Sequence, residues 1–321
     1  MNKFLRTLAF CVLLVLLLAA SRGFAQNPDR VNLFPKLDIG QTLRYQIGYR
    51  SKTNTATISS VIAPMAPAGG QTDAQMILQV EVADLPLDGG KPAVRLRTRI
   101  ISQDAAAPVS ADPQKSAAPE KEVEFVLHHD GQVTDLNGLD KLSVDEKTVW
   151  REWIARFGGG AALPEKGVKL GDKWKSEEPI TTAQLSGLFW EKESVYVNDS
   201  PCAARVASPQ SDTVADDQPQ ETCAVILTTS TIKQKSNPKD ATPEDYKLHD
   251  LRNMGIAKGA NEIITYISLK TGLVVRATED ASQSLNVIVA KTDGSNRVHY
   301  IIDAESHAQT VLLAEPPAIH P

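Results

Sequence analysis

Residues 93–100 read AVRLRTRI, with Val94, Leu96, Thr98 and Ile100 on one parity and three arginines on the other. Only an extended strand separates those two sets, because successive side chains on a strand point to opposite faces. The same period of two runs through TLRYQIGYR (Thr42 to Arg50), MILQVEV (Met76 to Val82) and EVEFVL (Glu122 to Leu127). It returns in ESVYV, AVILTTSTI, NEIITYISL, LVVRATE, SLNVIVA and RVHYIID, all rich in β-branched residues. Strands that alternate in this way bury one face and wet the other, which favours antiparallel pairing. The connection LPLDGGKP supplies the Pro, Asp-Gly and Gly-Gly chemistry of a hairpin.

One segment breaks the pattern. Ser143 and Glu146 stand at the spacing of a capping box, and Val149, Trp150, Trp153, Ile154 and Phe157 then share one helical face before Gly158-Gly159-Gly160. The spacing predicts a helix over 143–157. The expected architecture is mainly β, a β-rich α+β fold: a curved antiparallel sheet or open half-barrel with one covering helix. The aromatic stripe has two readings. Large residues at helical spacing form core in the leading one, and in the other Trp150, Trp153 and Phe157 line an apolar ligand pocket.

LPEKGVKLGDKW (Leu163 to Trp174) is echoed by FPKLDIGQTLRY (Phe34 to Tyr45). In both, a proline is followed by a glycine just before a strand-like stretch, so the shared role is a strand-opening turn with Gly40 or Gly171 at a special backbone angle. Asp172 is then a turn residue. The echo raises two related halves, 26–160 and 161–314, with a flexible tail at 315–321.

The N-terminus specifies export. Lys3 and Arg6 precede the apolar run Leu8 to Ala20, too short to span a bilayer and suited to a signal peptide. Small residues Gly23 and Ala25 place the cut after Ala25, so 1–25 is removed and the protein is periplasmic or extracellular. Cys11 lies inside the run behind Phe10, which does not fit a lipid-modified cysteine. Later stretches hold no apolar run of membrane-helix length. Cleavage removes Lys3, Arg6 and Arg22 and no acidic residue, moving the net charge of −5 further negative. An oxidising compartment makes Cys202 and Cys223 a disulfide pair, closing the polar loop between them. AAAPVSADPQKSAAPE (Ala105 to Glu120) and SNPKDATPED (Ser236 to Asp245) read as surface loops.

Composition narrows the function. Aromatic residues make up 5% of the 321, too few for base-stacking platforms, and 39 acidic residues outnumber 34 basic ones, so nucleic acid is excluded as a partner. KTG at 270–272 lacks its serine and lysine companions, since SNPK carries Pro238 where a helix would be needed. His128 and His129 are adjacent on a strand end and point apart, which does not make a metal site. The arginines at 95, 97 and 99 face Glu122 and Glu124 on the next strand, a cross-strand pairing before it is an anion site. No catalytic, cofactor-binding or metal residue is read from the chain.

LPEKGVKLGDKW, followed downstream by ISLKTGLVVRATED, resembles uncharacterised bacterial secreted or lipoprotein-type β-rich families, with LP…V…GD.W at mid-chain and an antiparallel meander at the end. The resemblance covers Val31 to Leu313 and implies a sheet similar to the half-barrel of lipoprotein carriers. This chain departs from it in lacking a lipobox, which leaves membrane attachment open. No site residues come with the resemblance. Three classes remain, in this order: a binding protein for an apolar or lipid-like ligand, an envelope interaction protein with a filled core, and an enzyme.

Overall fold

The computed structural model describes residues 30–59, 65–88, 90–102, 121–129, 131–157, 163–164, 166–180, 184–202 and 221–313. The segment 1–25 read as a signal peptide, the Ala105–Glu120 segment, the glycines after the helix, the interior of the cysteine loop and the tail lie outside them.

In chain order the elements are β1 (Thr42–Ser59), β2 (Met65–Asp84), β3 (Leu87–Asp88), β4 (Lys91–Ser102), β5 (Glu122–His128), β6 (Val133–Asn137) and α1 (Val144–Phe157). There follow β7 (Lys173–Pro179), β8 (Leu188–Pro201), β9 (Thr222–Gln234), the single turn α2 (Glu244–Lys247), β10 (Leu251–Ser268), β11 (Val274–Lys291) and β12 (Val298–Leu312). Apart from β3, which pairs only with β4, the strands form one open sheet in the order β6-β5-β4-β2-β1-β12-β11-β10-β9-β8-β7. Every pairing is antiparallel. The first meander runs from β1 out to one edge. After α1 the chain resumes at the opposite edge and meanders back until β12 closes against β1.

The sheet curls around α1. Trp150 packs edge-on against Phe125 of β5 at 5.4 Å, while Arg156, six residues later, donates to Glu279 of β11. Five interstrand steps separate β5 from β11, about 24 Å on a flat sheet. The helix rises only about 9 Å over those six residues. Side chains bridge the remainder only if the strands bend toward the helix.

The capping box forms as its spacing requires. Ser143 N–H donates to Glu146 Oε2 at 2.7 Å, and Glu146 N–H donates to Ser143 Oγ at 3.3 Å. Lys121 Nζ adds bonds to both carboxylate oxygens at 2.9 and 2.8 Å. Burial alone would push the Glu146 carboxyl up, but the Lys121 and Ser143 bonds outweigh it and hold it below its ordinary value of 4.5. A folded-state value below the unfolded one stabilises the protein above pH 4.5, and that contribution is lost as pH falls through the lowered value. Glu146→Gln is expected to cost about 1 to 2 kcal/mol at pH 7. Urea titrations should show the gap to wild type constant down to pH 4.5 and closing below it; a gap that widens on acidification would contradict this assignment.

Above the cap, Trp150 Nε1 donates to Thr98 Oγ1 at 2.9 Å, and Thr98 in turn donates to the Val123 carbonyl at 3.1 Å, fastening α1 to β4 and β5. Trp153 stacks on Phe157 with centroids 4.8 Å apart, and Tyr45 meets Phe157 edge-on at 5.6 Å. The main core gathers these rings with Leu43, Ile47, Leu78, Val80, Leu96 and Leu127. Behind it, on the outer face, Arg99 reaches Glu122 at 2.9 Å and Arg95 reaches Glu124 at 3.2 Å.

The two echoing segments make the same turn, hydrogen bond for hydrogen bond. Gly40 N–H donates to Val82 O and Gly171 N–H to Tyr196 O, both at 2.8 Å; Val82 N–H returns to Gln41 O at 2.9 Å and Tyr196 N–H to Asp172 O at 3.1 Å. The Gln41 and Asp172 side chains accept from the backbone three residues earlier, at Asp38 and Lys169. Gly40 and Gly171 have φ of +82° and +84°, a region costly for any residue with a Cβ. LPEKGVKLGDKW is therefore a strand-opening turn, and Asp172 also holds Arg30 at 3.1 Å.

Cys202 and Cys223 are bonded, with Cα atoms 5.0 Å apart and a sequence separation of 21. Closing such a loop removes about 3 kcal/mol of unfolded-state entropy in the chain-entropy account.

Several strands outrun their hydrophobic signal. LVVRATE and SLNVIVA, read as separate strands, are one strand, β11; β2 starts at Met65 and β10 at Leu251, ahead of MILQVEV and NEIITYISL. The intervening residues have weak strand propensity, but neighbours on both sides supply their ladder bonds. Ser236 to Asp245 is not wholly a surface loop either: Ala241 and Thr242 are buried. Asn253 anchors them, its N–H donating to Thr242 Oγ1 and its carbonyl accepting from Ala241 N–H, both at 2.9 Å.

Candidate functional site

Strand parity carries the inner face from the main core toward the far ends of the strands. In β1 the buried odd positions Leu43, Tyr45 and Ile47 are followed on the same face by Tyr49, Ser51 and Thr53. Register then aligns one continuous inner row across eight strands. Ser51 pairs with Thr72 on β2 and Ser306 on β12, Ser306 with Ala281 on β11, and Ala281 with Asn261 on β10. Asn261 pairs with Ser230 on β9, Ser230 with Lys192 on β8, and Lys192 with Ser176 on β7. Seven of the eight are small or short and polar.

A row of small side chains on a curved sheet leaves space. A cavity of about 800 Å³ opens there, lined among others by Ser51, Ser230, Asn261, Ala281 and Ser306 from the inner row. A smaller space of about 120 Å³ continues it past Ser230 to Lys192. Below lies the helix-bearing core. Toward the far ends of the strands lies a satellite core of Leu185, Leu188, Ala241 and Val287, with Ile232, Leu285 and Tyr300 against it. The cavity is the gap between two apolar clusters that the small row fails to bridge.

Two ion pairs flank it. Arg156, its side chain 1% exposed, donates to Glu279 one register step below Ala281. Glu279 also accepts from Asn261 Nδ2 at 2.9 Å, so the charge is linked to the cavity wall. On the other side Lys192, buried on β8, donates to Glu178. Ser230 Oγ and Asn261 Oδ1 are closed off from solvent and have no hydrogen-bond partner among the described residues. Ser230 faces Lys192 in the ladder without an Oγ–Nζ bond, so no nucleophile and base are joined. Nearer the turn at Gly171, burial and then the bond to Asp199 push the Tyr196 hydroxyl well above its ordinary value of 10.0, which keeps it a proton donor.

Trp150, Trp153 and Phe157 come together, but beneath this cavity. Their side chains lie in the filled aromatic cluster of α1, at most 2% exposed, and none lines the 800 Å³ space. Phe157 borders a void of about 10 Å³. His128 Nε2 bonds Thr134 Oγ1 at 2.7 Å, and no three His, Cys, Asp or Glu residues are grouped as for a metal among the described residues. KTG is a turn, with Gly272 at φ +70° pressed against the Phe34 carbonyl.

Reading the sequence missed the cavity row, Lys192, Glu178 and Glu279. A signal existed in β10 and β11. Gly255, Ala257, Gly259 and Asn261, and then Ala277, Glu279, Ala281 and Gln283, place small or polar residues at every second position of long strands, where a filled core would demand bulk.

No protein-family model matches the chain, and no curated protein sequence is similar to it. Among solved structures, a candidate lipoprotein from Parabacteroides distasonis aligns over 88% of this chain and 98% of its own at 8% identity, with a TM-score of 0.28. The outer membrane protein OprG from Pseudomonas aeruginosa aligns over 88% and 99% at 7% identity, with a TM-score of 0.18. Likenesses at these scores carry no argument about function. Among the described residues no helix is long and apolar enough to cross a membrane. The established frame is an open antiparallel β-sheet with one covering helix, a disulfide and a cavity at mid-sheet.

Proposed function

We propose that the protein is an exported, non-enzymatic binding protein of the cell envelope, holding its ligand in the mid-sheet cavity. One observation carries the reading: eight register-paired strands place small side chains in a single row and leave about 800 Å³ open between two filled clusters. That volume is within the range of small-molecule sites, and a natural core of this size would ordinarily be closed with larger residues. The apolar run Leu8 to Ala20 supports export.

The filled helix-bearing core favours the second reading, an envelope interaction protein, and one measurement separates them. Native mass spectrometry of the protein taken from its own periplasm, followed by thermal melts with fatty acids, phospholipids, isoprenoids and neutral oligosaccharides, should reveal a retained mass or a raised midpoint. No retained mass and no shift with any probe would leave the interaction reading.

A further inference from the structure

The turn that opens both β1 and β7 puts a bulky apolar residue in water twice. Ile39, directly before Gly40, is 65% exposed, and Leu170, directly before Gly171, is 60% exposed. No hydrogen bond of the turn needs an aliphatic side chain there, and a polar one would leave no apolar surface in water. Beside the first turn, in the hairpin that joins β2 to β4, Leu87 is 75% exposed and Leu85 is exposed as well. These four tips share one rim. β1 and β7 lie six interstrand steps apart and run in the same direction, because every pairing between them is antiparallel. The ladder aligns Trp174 with Tyr49, so the turn at Gly171 stands six residues further along the row than the turn at Gly40. That stagger, about 20 Å across about 29 Å of sheet, is the offset of strands tilted by about 35°, the tilt at which a curled sheet brings its strand ends to one level.

Lysines accompany these tips. Lys169 directly precedes Leu170, and Lys166 lies in the same segment. Lys36 donates from Nζ to the Lys270 carbonyl at 3.1 Å, which sets both residues on the rim between the two turns. All four lysines are exposed, and none is in an ion pair among the described residues. Of the acids nearby, Asp172 is held by Arg30 and Asp199 by the Tyr196 hydroxyl, while Asp38 and Asp84 stand exposed. Asp212, Asp216 and Asp217 belong to the cysteine loop, outside the described residues. The opposite end of the sheet gives the contrast: Leu248 is 82% exposed there, but it follows Glu244 and Asp245 and precedes Asp250. We propose that the rim carrying Ile39, Leu85, Leu87 and Leu170 docks the protein peripherally on an anionic lipid bilayer. Aliphatic tips enter the boundary between head groups and acyl chains, and the lysines meet the phosphates around them. A protein partner would call for one continuous apolar patch, whereas a fluid bilayer admits separate tips. None of the four tips lines the mid-sheet cavity, so docking is independent of what that cavity holds.

The test is flotation of the mature, disulfide-intact protein with phosphatidylglycerol vesicles and, separately, with phosphatidylcholine vesicles. Most of the protein is expected to float with phosphatidylglycerol at low salt, and several-fold less with phosphatidylcholine or at high salt, where the lysine attraction is screened. Ile39→Ser combined with Leu170→Ser should cut the floated fraction several-fold, and so, independently, should Lys169→Glu combined with Lys270→Glu. Leu248→Ser should change nothing. Every substituted side chain is exposed, so thermal midpoints equal to wild type separate lost docking from lost folding. Flotation that survives the Ile39 and Leu170 changes, that Leu248→Ser removes equally, or that is the same on both lipids overturns the inference. So does the absence of flotation with either vesicle, the result expected if the rim meets a protein instead.

Discussion

Replacing Arg156 by methionine is expected to lower the unfolding free energy by about 3 to 5 kcal/mol, among the largest single effects in the molecule. The guanidinium lies under the cavity with its side chain 1% exposed, and its partner Glu279 is only 14% exposed. Removing the cation strands a carboxylate that burial has stripped of most of its water. The Asn261 amide is a weak substitute. The cost comes from the orphaned charge more than from the lost attraction, and that distinction is measurable. Arg156→Met combined with Glu279→Met removes both charges and should recover most of the loss, since well-packed apolar replacements of buried ion pairs are often neutral. Denaturant melts of the two single variants and the double variant would give the coupling. A double variant as unstable as the sum of the singles would mean that the pair is not coupled and that the damage lies in α1 itself.

The sequence was most legible where apolar residues alternate against a core. Leu43, Tyr45 and Ile47 on β1, Met76, Leu78 and Val80 on β2, and Ile263, Thr265 and Ile267 on β10 announce both strand and buried face. The α1 boundaries were readable for a local reason too: a cap depends on residues three apart, and Ser143 and Glu146 carry that information themselves. Beyond the core the signal fades. Ser51 to Ser59, Met65 to Gln75 and Asp280 to Ser284 are strand because their neighbours are strand, and no window of the sequence contains the neighbour. The buried part of the Ser236–Asp245 segment was hidden for the same reason, since its partner Asn253 announces nothing by residue type. The cavity was the least legible feature. Ser51, Ser230, Asn261, Ala281 and Ser306 are unremarkable singly, and only the ladder register makes them a row.

The aromatic stripe of α1 supplies the second large effect and decides what that helix is for. Trp153 is fully buried, stacked on Phe157 and within 6.2 Å, centroid to centroid, of Tyr45, Phe125 and Trp150. Trp153→Ala should cost about 3 to 5 kcal/mol through lost transfer energy and an unfilled hole. In a chain of this size that is a drop of about 10 °C. Trp153→Phe is the informative companion. The indole Nε1 has no hydrogen-bond partner among the described residues, so phenylalanine removes a donor that contributes nothing and leaves a smaller void, at a cost of less than about 1.5 kcal/mol. If the helix only seals the core, both variants keep wild-type retention of any native ligand and the same ligand-induced shift, because Trp153 is not in the wall of the central cavity. If Trp150, Trp153 and Phe157 are the ligand wall, Trp153→Phe weakens retention while barely changing the melting midpoint of the ligand-free protein. Comparing retained mass with midpoint across the two variants separates these roles, and a loss of retention in Trp153→Phe would return the ligand to the helix.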